Sequence, residues 1–290
     1  MKDSIIGPTS HYFYAQRLKL HYVDWGNPEK PLMVMVHGGR DHCRNWDWAA
    51  LDLRDHYHVI APDLRGHGDS DWAIGGSYSM IDYVLDLAQL MQAVAHEPAT
   101  LIGHSLGGGI VLEYSGTFPE TVKEVVSIEG LGPPPGMIRA TAAHQRMVNW
   151  ISQMQELSRR KVREYATVEE ALGRMRRANP HLTHAQASHL TIWGVRRNEN
   201  GTYSWKFDNY VHATSPYMFN NKDARDIWGQ IKSPALLIRG AESWGGDWVK
   251  DGRFSAFKSA QTVTIEQAGH WVHHDQLAGF LAVVHRFLGI

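Results

Sequence analysis

The chain has 290 residues, 43% of them hydrophobic and 20% charged, and a formal net charge of -1. Such a composition suits one large domain with a substantial core, and it gives nucleic acid or an anionic membrane no electrostatic hold as the main partner. A single cysteine, Cys43, excludes an internal disulfide framework, no apolar run approaches membrane-spanning length, and the start MKDSIIGP lacks the apolar core of a signal peptide. A small-molecule ligand and a cytoplasmic location are expected, with the oligomeric state left open.

Up to about residue 130, short apolar runs alternate with segments of helical period. Residues 18–25, 32–36, 58–62, 99–102 and 124–128 read as buried strands. Residues 80–95 and 107–118 read as helices; in the first, Ile81, Val84, Leu85, Ala88, Leu90 and Met91 return to one face. Strand and helix in alternation imply an α/β fold, a mostly parallel sheet with helices on both faces. After Ile128 the stretch EGLGPPPG can continue neither element.

The texture then changes. Between Arg139 and Arg177 there are nine Lys or Arg against four Glu, with apolar residues at helical spacing, so amphipathic helices with a solvated basic face are expected. NENGTYSWKF at 198–207 has a turn followed by alternation, a short strand-like piece. The sheet pattern resumes at 235–240 with ALLIRG, followed by a short helix at 252–257, a strand in TVTIE and a final helix at 274–288. The chain therefore divides into a core of 1–130 and 231–290 and an inserted helical lid of 131–230.

At 103–109 the sequence reads GHSLGGG, directly after an apolar strand and at the head of a helix. A strand that turns abruptly into a helix at Ser105 lifts the hydroxyl above the carboxyl end of the sheet, and small neighbours tolerate the crowding. The helix beginning at Leu106 directs unpaired amides toward that serine, a setting for an oxyanion. A serine needs a base, and a base needs an orienting anion. His270 follows the strand TVTIE and its loop, where such a base belongs; His273 and His274 fall at or inside the last helix and read as packing or pocket residues. Reading the three histidines as a metal cluster lacks a supporting carboxylate motif.

HGG at 37–39, DLRGHGDSD at 63–71, GHSLGG at 103–108 and AGHWVHHD at 268–275 occur in order on the expected elements. Together they resemble the lid-bearing α/β-hydrolases, which include esterases, lactonases, C–C bond hydrolases, haloalkane dehalogenases and epoxide hydrolases. The resemblance spans almost the whole chain. It implies Gly39, with Arg40 beside it, as the first oxyanion amide and Leu106 as the second. Dehalogenases and epoxide hydrolases of this fold carry aspartate where this chain has Ser105, so serine points to acyl chemistry. The acid usually follows the penultimate core strand, three residues past a glycine, but that position is Ser243. Glu129, at the end of the strand after the nucleophile helix, is the leading candidate, as in some relatives; Glu242 and Asp247 are the alternatives.

Trp46, Trp48, Trp72, Trp244, Trp248 and Trp271 fall in loops expected at the rim, and Trp150, Trp193, Trp205 and Trp228 in the lid. Some should wall a pocket, Trp271 and Arg40 among the substrate contacts, and others should pack the lid. Asp63, Arg65, His67 and Asp69 read as a structural turn network. The implied activity is hydrolysis of a hydrophobic ester or lactone through an acyl-enzyme, with no metal or organic cofactor. The alternatives are C–C hydrolysis of a ring-fission diketone and a non-catalytic receptor on the same scaffold.

Overall fold

The computed structural model describes residues 7–76, 78–137, 141–213, 215–216 and 221–290. Arg139, first of the basic residues counted above, lies outside them. An eight-stranded sheet is built from β1 (Thr9–Ala15), β2 (Leu18–Asp24), β3 (Leu32–Val36), β4 (His58–Pro62), β5 (Ala99–His104), β6 (Val122–Ile128), β9 (Ala235–Gly240) and β10 (Ala260–Ile265). Its order is β1-β2-β4-β3-β5-β6-β9-β10, antiparallel at β1-β2 and β2-β4 and parallel from β4 onward. A separate antiparallel pair, β7 (Val195–Arg197) and β8 (Tyr203–Trp205), forms the strand-like piece expected at 198–207.

Alternation of side chains along each strand divides the core between the two faces of the sheet. Val34, Val36, Leu101, Val125 and Leu237 point into one cluster, completed by α2 (Met80–Val94), α3 (Leu106–Thr117) and α7 (Asn221–Trp228). Met33, Met35, Ile102, Val126, Leu236 and Ile238 point into the other, completed by α1 (Asp47–Leu53), α8 (Val272–Asp275) and α9 (Leu277–Leu288). A mainly parallel sheet buried on both faces is the arrangement implied by the alternating strands and helices.

Strand β1 is absent from the sequence reading because it lies at the sheet edge and only Phe13 and Ala15 are buried. It joins β2 by a two-residue turn in which Gln16 and Arg17 have φ 46° and 71°, a hairpin geometry achieved here without glycine. The last helix is divided at Gln276, and residues 253–256 form a single 3-10 turn in place of the short helix expected at 252–257.

Between 131 and 230 lie α4 (Ala143–Arg159), α5 (Val168–Ala178), α6 (His184–Gly194), the β7-β8 pair and α7, none of them in the large sheet. Thr183 caps α6 by accepting from Gln186 N while the Gln186 side chain accepts from the Thr183 backbone. Helix α6 is tied to the body by His42 Nε2 to Leu190 O at 3.0 Å, Gln186 Nε2 to His274 O at 2.9 Å, and His189 Nε2, which lies 3.0 Å from an Asp47 carboxylate and 3.2 Å from Arg44 O. Helix α7 packs on α3, so the helical layer over the sheet resumes before residue 230. Among the described residues, no helix is long and apolar enough to cross a membrane.

Glu113, on α3, lies under α7 beside Trp228 and is 4% exposed. Burial raises its pKa from the ordinary 4.5 to about 8, and the neighbouring indole offsets only part of this. The folded state therefore holds a proton that the unfolded chain releases near pH 4.5, and the associated stability is lost as pH rises toward 8. Between pH 5 and 9 the urea-unfolding free energy of the native chain should fall by on the order of 3 kcal/mol through this group. Glu113→Gln should flatten that part of the profile.

Candidate active site

Strand β5 passes into α3 through Ser105, whose φ of 53° and ψ of -114° are strained for a residue with a side chain, at a cost of about 1–3 kcal/mol. The turn closes because its neighbours are glycines. A Cβ on Gly107 would lie 2.2 Å from Val36 O, and one on Gly103 would lie 2.3 Å from Gly107 O. The start of α3 is thereby pressed against the end of β3, and Ser105 N donates to Ile128 O at 2.7 Å.

The loop after β3 sits beside this turn. His37 holds it: Nδ1 donates to Gly38 O at 2.7 Å and Nε2 accepts from Leu64 N at 3.0 Å. Both contacts require a neutral ring, and burial lowers its pKa to about 3. A Cβ on Gly39 would meet Leu106 Cδ2 at 3.9 Å, so the loop and the helix start are in contact. Ser105, Leu106, Gly39 and Arg40 all line one cavity of about 1080 Å³, which His270 and Trp271 also line.

Glu129 follows β6 in a second left-handed conformation, φ 54°. Its backbone N donates to Ile238 O at 2.9 Å, and its Oε1 accepts from Gly240 N at 2.8 Å. The other oxygen faces His270 Nδ1 at 3.7 Å, with the carboxylate side chain 1% exposed. Gly245 leaves room for it, since a Cβ there would sit 2.4 Å from Glu129 Oε2. Of the three candidate acids, Glu129 is the one brought to His270. Glu242 lies at the cavity rim, 54% exposed, 3.8 Å from His181; Asp247 faces Arg239 and Lys250. Ser243 Oγ accepts from Gly245 N.

Sequence reasoning missed His104. Its Nε2 donates to the carbonyl of His270 at 2.9 Å, tying the histidine loop to the strand that carries Ser105, and burial keeps its pKa well below 6.5. The signal was present, since His104 immediately precedes the serine in GHSLG. His273 and His274 are packing residues. His273 stacks on Trp46 at 4.6 Å and donates to Asn45 Oδ1, whose amide donates to Asp41; His274 meets Trp48. Burial lowers the pKa of both histidines, His274 to about 3, and raises that of Asp41 to about 7.

Trp205, Trp244 and Trp271 line the cavity, with the Trp244 ring centroid 5.0 Å from that of His270. Trp46, Trp248 and Trp228 are instead core residues, since their loops or helices turn them under the sheet or α3. The network expected around Asp63 is present. Its carboxylate accepts from His21 Nδ1, Cys43 N and Asp69 N at 2.7, 2.7 and 2.9 Å, while Arg65 grips Asp86 with two bonds of 2.6 Å. Burial opposes the Asp63 charge, but these bonds, with His21 first, hold its pKa well below normal. Among the described residues, the His/Cys/Asp/Glu group close enough to share an ion is His21, Cys43 and Asp63, not the His270 to His274 segment.

A family model described as the alpha/beta hydrolase fold matches residues 31–277. A serine hydrolase-like protein of Danio rerio is 24% identical over 261 residues, 89% of this chain and 76% of that one. Epoxide hydrolase 1 of Caenorhabditis elegans is 24% identical over 287 residues, 93% of this chain and 68% of that one. Among solved structures, the thioesterase domain from the curacin biosynthetic pathway superposes with TM-score 0.83 at 22% identity, covering 96% of this chain and 99% of that one. An esterase of Mycobacterium tuberculosis gives 0.78 at 23% identity, covering 98% and 93%.

The strain at residue 105 has a measurable consequence. Ser105→Gly should raise stability by about 1 kcal/mol, because glycine adopts this backbone freely; calorimetric unfolding checks it. Gly107→Ala should lower stability by more than about 2 kcal/mol through its clash with Val36 O.

Proposed function

Since the chain belongs to the α/β-hydrolase family, and is a hydrolase by that membership, we propose that it cleaves carboxylic esters or lactones of small hydrophobic molecules with Ser105 as nucleophile. The observation that carries this reading is the Glu129 carboxylate, buried and 3.7 Å from His270 Nδ1, while His270 and Ser105 line one cavity. A carboxylate at Nδ1 selects the tautomer that leaves Nε2 free to accept the serine proton.

His270 takes the Ser105 proton as the oxygen attacks the carbonyl, and the amides of Gly39 and Leu106 stabilise the resulting oxyanion. Collapse expels the alcohol, which receives the proton from His270. Water, deprotonated by the same imidazole, then releases the acid. Glu129 orients the ring and stabilises its transient charge. No metal or organic cofactor enters these steps. The described residues from α4 to β8 serve as a cap over the cavity, with Trp205 and Met175 among its apolar lining and Phe207 just beyond β8.

Relatives that open epoxides do not redirect this reading. Attack by a serine oxygen on an epoxide carbon would leave an alkyl ether, which this machinery has no carbonyl to hydrolyse. An acyl ester has that carbonyl, and turnover can close.

Ser105→Ala should lower kcat for short aromatic esters by roughly 10³-fold or more, and a neutral organophosphonate should add once to Ser105 in the native chain. Glu129→Gln should lower kcat by at least about 10²-fold, with Glu242→Gln near native. The reverse ranking in steady-state assays would move the orienting role to Glu242.

A further inference from the structure

The basic run of 139–177 reads from sequence as a solvated helix face, and three of its arginines, all exposed, also line the cavity. Arg160 stands just past α4, Arg163 lies in the segment before α5, and Arg174 is on α5. Arg40, from the loop after β3, lines the same cavity. Arg40 and Arg160 both lie near enough to His212 for their charges, after its burial, to hold its pKa below normal.

Carboxylates also lie nearby, Glu169 among them in a second groove that Arg163 and Arg174 line as well. Glu242, which lines the cavity on the His270 side, faces His181. Asp275, on the same side, accepts from Gly269 N at 2.8 Å. Behind the arginines, Glu164 accepts from Asn200 and Thr202, and Glu170 accepts from Ala166 N. Among the described residues, none of Arg40, Arg160, Arg163 and Arg174 forms an ion pair with a carboxylate. A cavity with tryptophans near the histidine and guanidinium groups free of ion pairs along its lining is complementary to an amphipathic anion.

We propose that the substrates are esters carrying a second, anionic group, a carboxylate or a phosphate, away from the scissile carbonyl, and that Arg40, Arg160, Arg163 and Arg174 receive it. This rests on the ester-hydrolase reading above. Guanidinium forks match both oxyanions, and because the four side chains are exposed the contact is sensitive to salt.

Phenyl hexanoate, monophenyl adipate and phenyl 6-(phosphonooxy)hexanoate present one acyl chain ending in a methyl, a carboxylate or a phosphate. With the full chain, kcat/KM for one or both anionic esters should exceed that of the neutral ester by roughly tenfold, carried by KM; whichever is preferred identifies the anion. The preference should shrink between about 50 mM and about 1 M NaCl. It should fall toward unity in R160Q/R174Q, recover partly in R160K/R174K, and persist in R176Q, whose exposed side chain lies outside the cavity lining. An equal or lower rate for both anionic esters, with neutral-ester turnover and organophosphonate labelling of Ser105 intact, overturns the anion site and leaves the ester reading standing. A preference unchanged in R160Q/R174Q also overturns it. Failure of every ester together with an unlabelled Ser105 overturns both.

Discussion

The start of α3 lies so close to the end of β3 that only a hydrogen fits between Gly107 and Val36 O. Much else at the site follows from that contact. It turns the chain through Ser105 at φ 53°, and it brings the loop after β3 against Leu106. Ser105 and the backbone of Gly39 and Leu106 are thus positioned by one packing constraint on the backbone, which side-chain motion cannot relax. The strain is held by ordinary sheet hydrogen bonds on either side, such as Ser105 N to Ile128 O.

Glu129 repeats the device one strand further along. It too leaves its strand with positive φ, and its backbone and carboxylate are both pinned to β9, through Ile238 O and Gly240 N. A carboxylate with one oxygen committed to the backbone has only its other oxygen to offer, and that oxygen faces His270. The histidine loop is held from its other side by His104. Around this centre the buried histidines His37, His104, His273 and His274 all have lowered pKa values, because burial disfavours their charge. They can therefore pack and hydrogen-bond without placing positive charge beside His270.

The proposed cap contributes charge where the core contributes geometry. Its arginines come from the segments flanking α4 and α5, while its attachments to the body run through α6 and the His42, His274 and Asp47 contacts. The proposed recognition and the attachment thus fall to different parts of the same insert, so sequence change on one need not disturb the other.

Most of the core was legible in the sequence, because buried parallel strands require short continuous apolar runs and the helices between them require period. β3 and β4 fall within the expected bounds, and the GHSLGGG turn needs glycine wherever such a strand and helix meet. β1 was not legible, because an edge strand with two buried side chains carries little pattern. The acid was half legible: Ser243 excluded the usual place, but the choice among Glu129, Glu242 and Asp247 depended on which carboxylate reaches His270 across strand ends remote in sequence. The tryptophans and arginines were least legible. Residue type alone does not distinguish Trp46 in the core from Trp244 on the cavity, or an exposed arginine that lines the cavity from one that does not. Local pattern determined the strands, the helices and the serine turn, since backbone geometry is a local property. Tertiary packing decided which carboxylate faces His270, the aromatic wall and the charge lining the cavity, since those depend on distances between segments far apart along the chain.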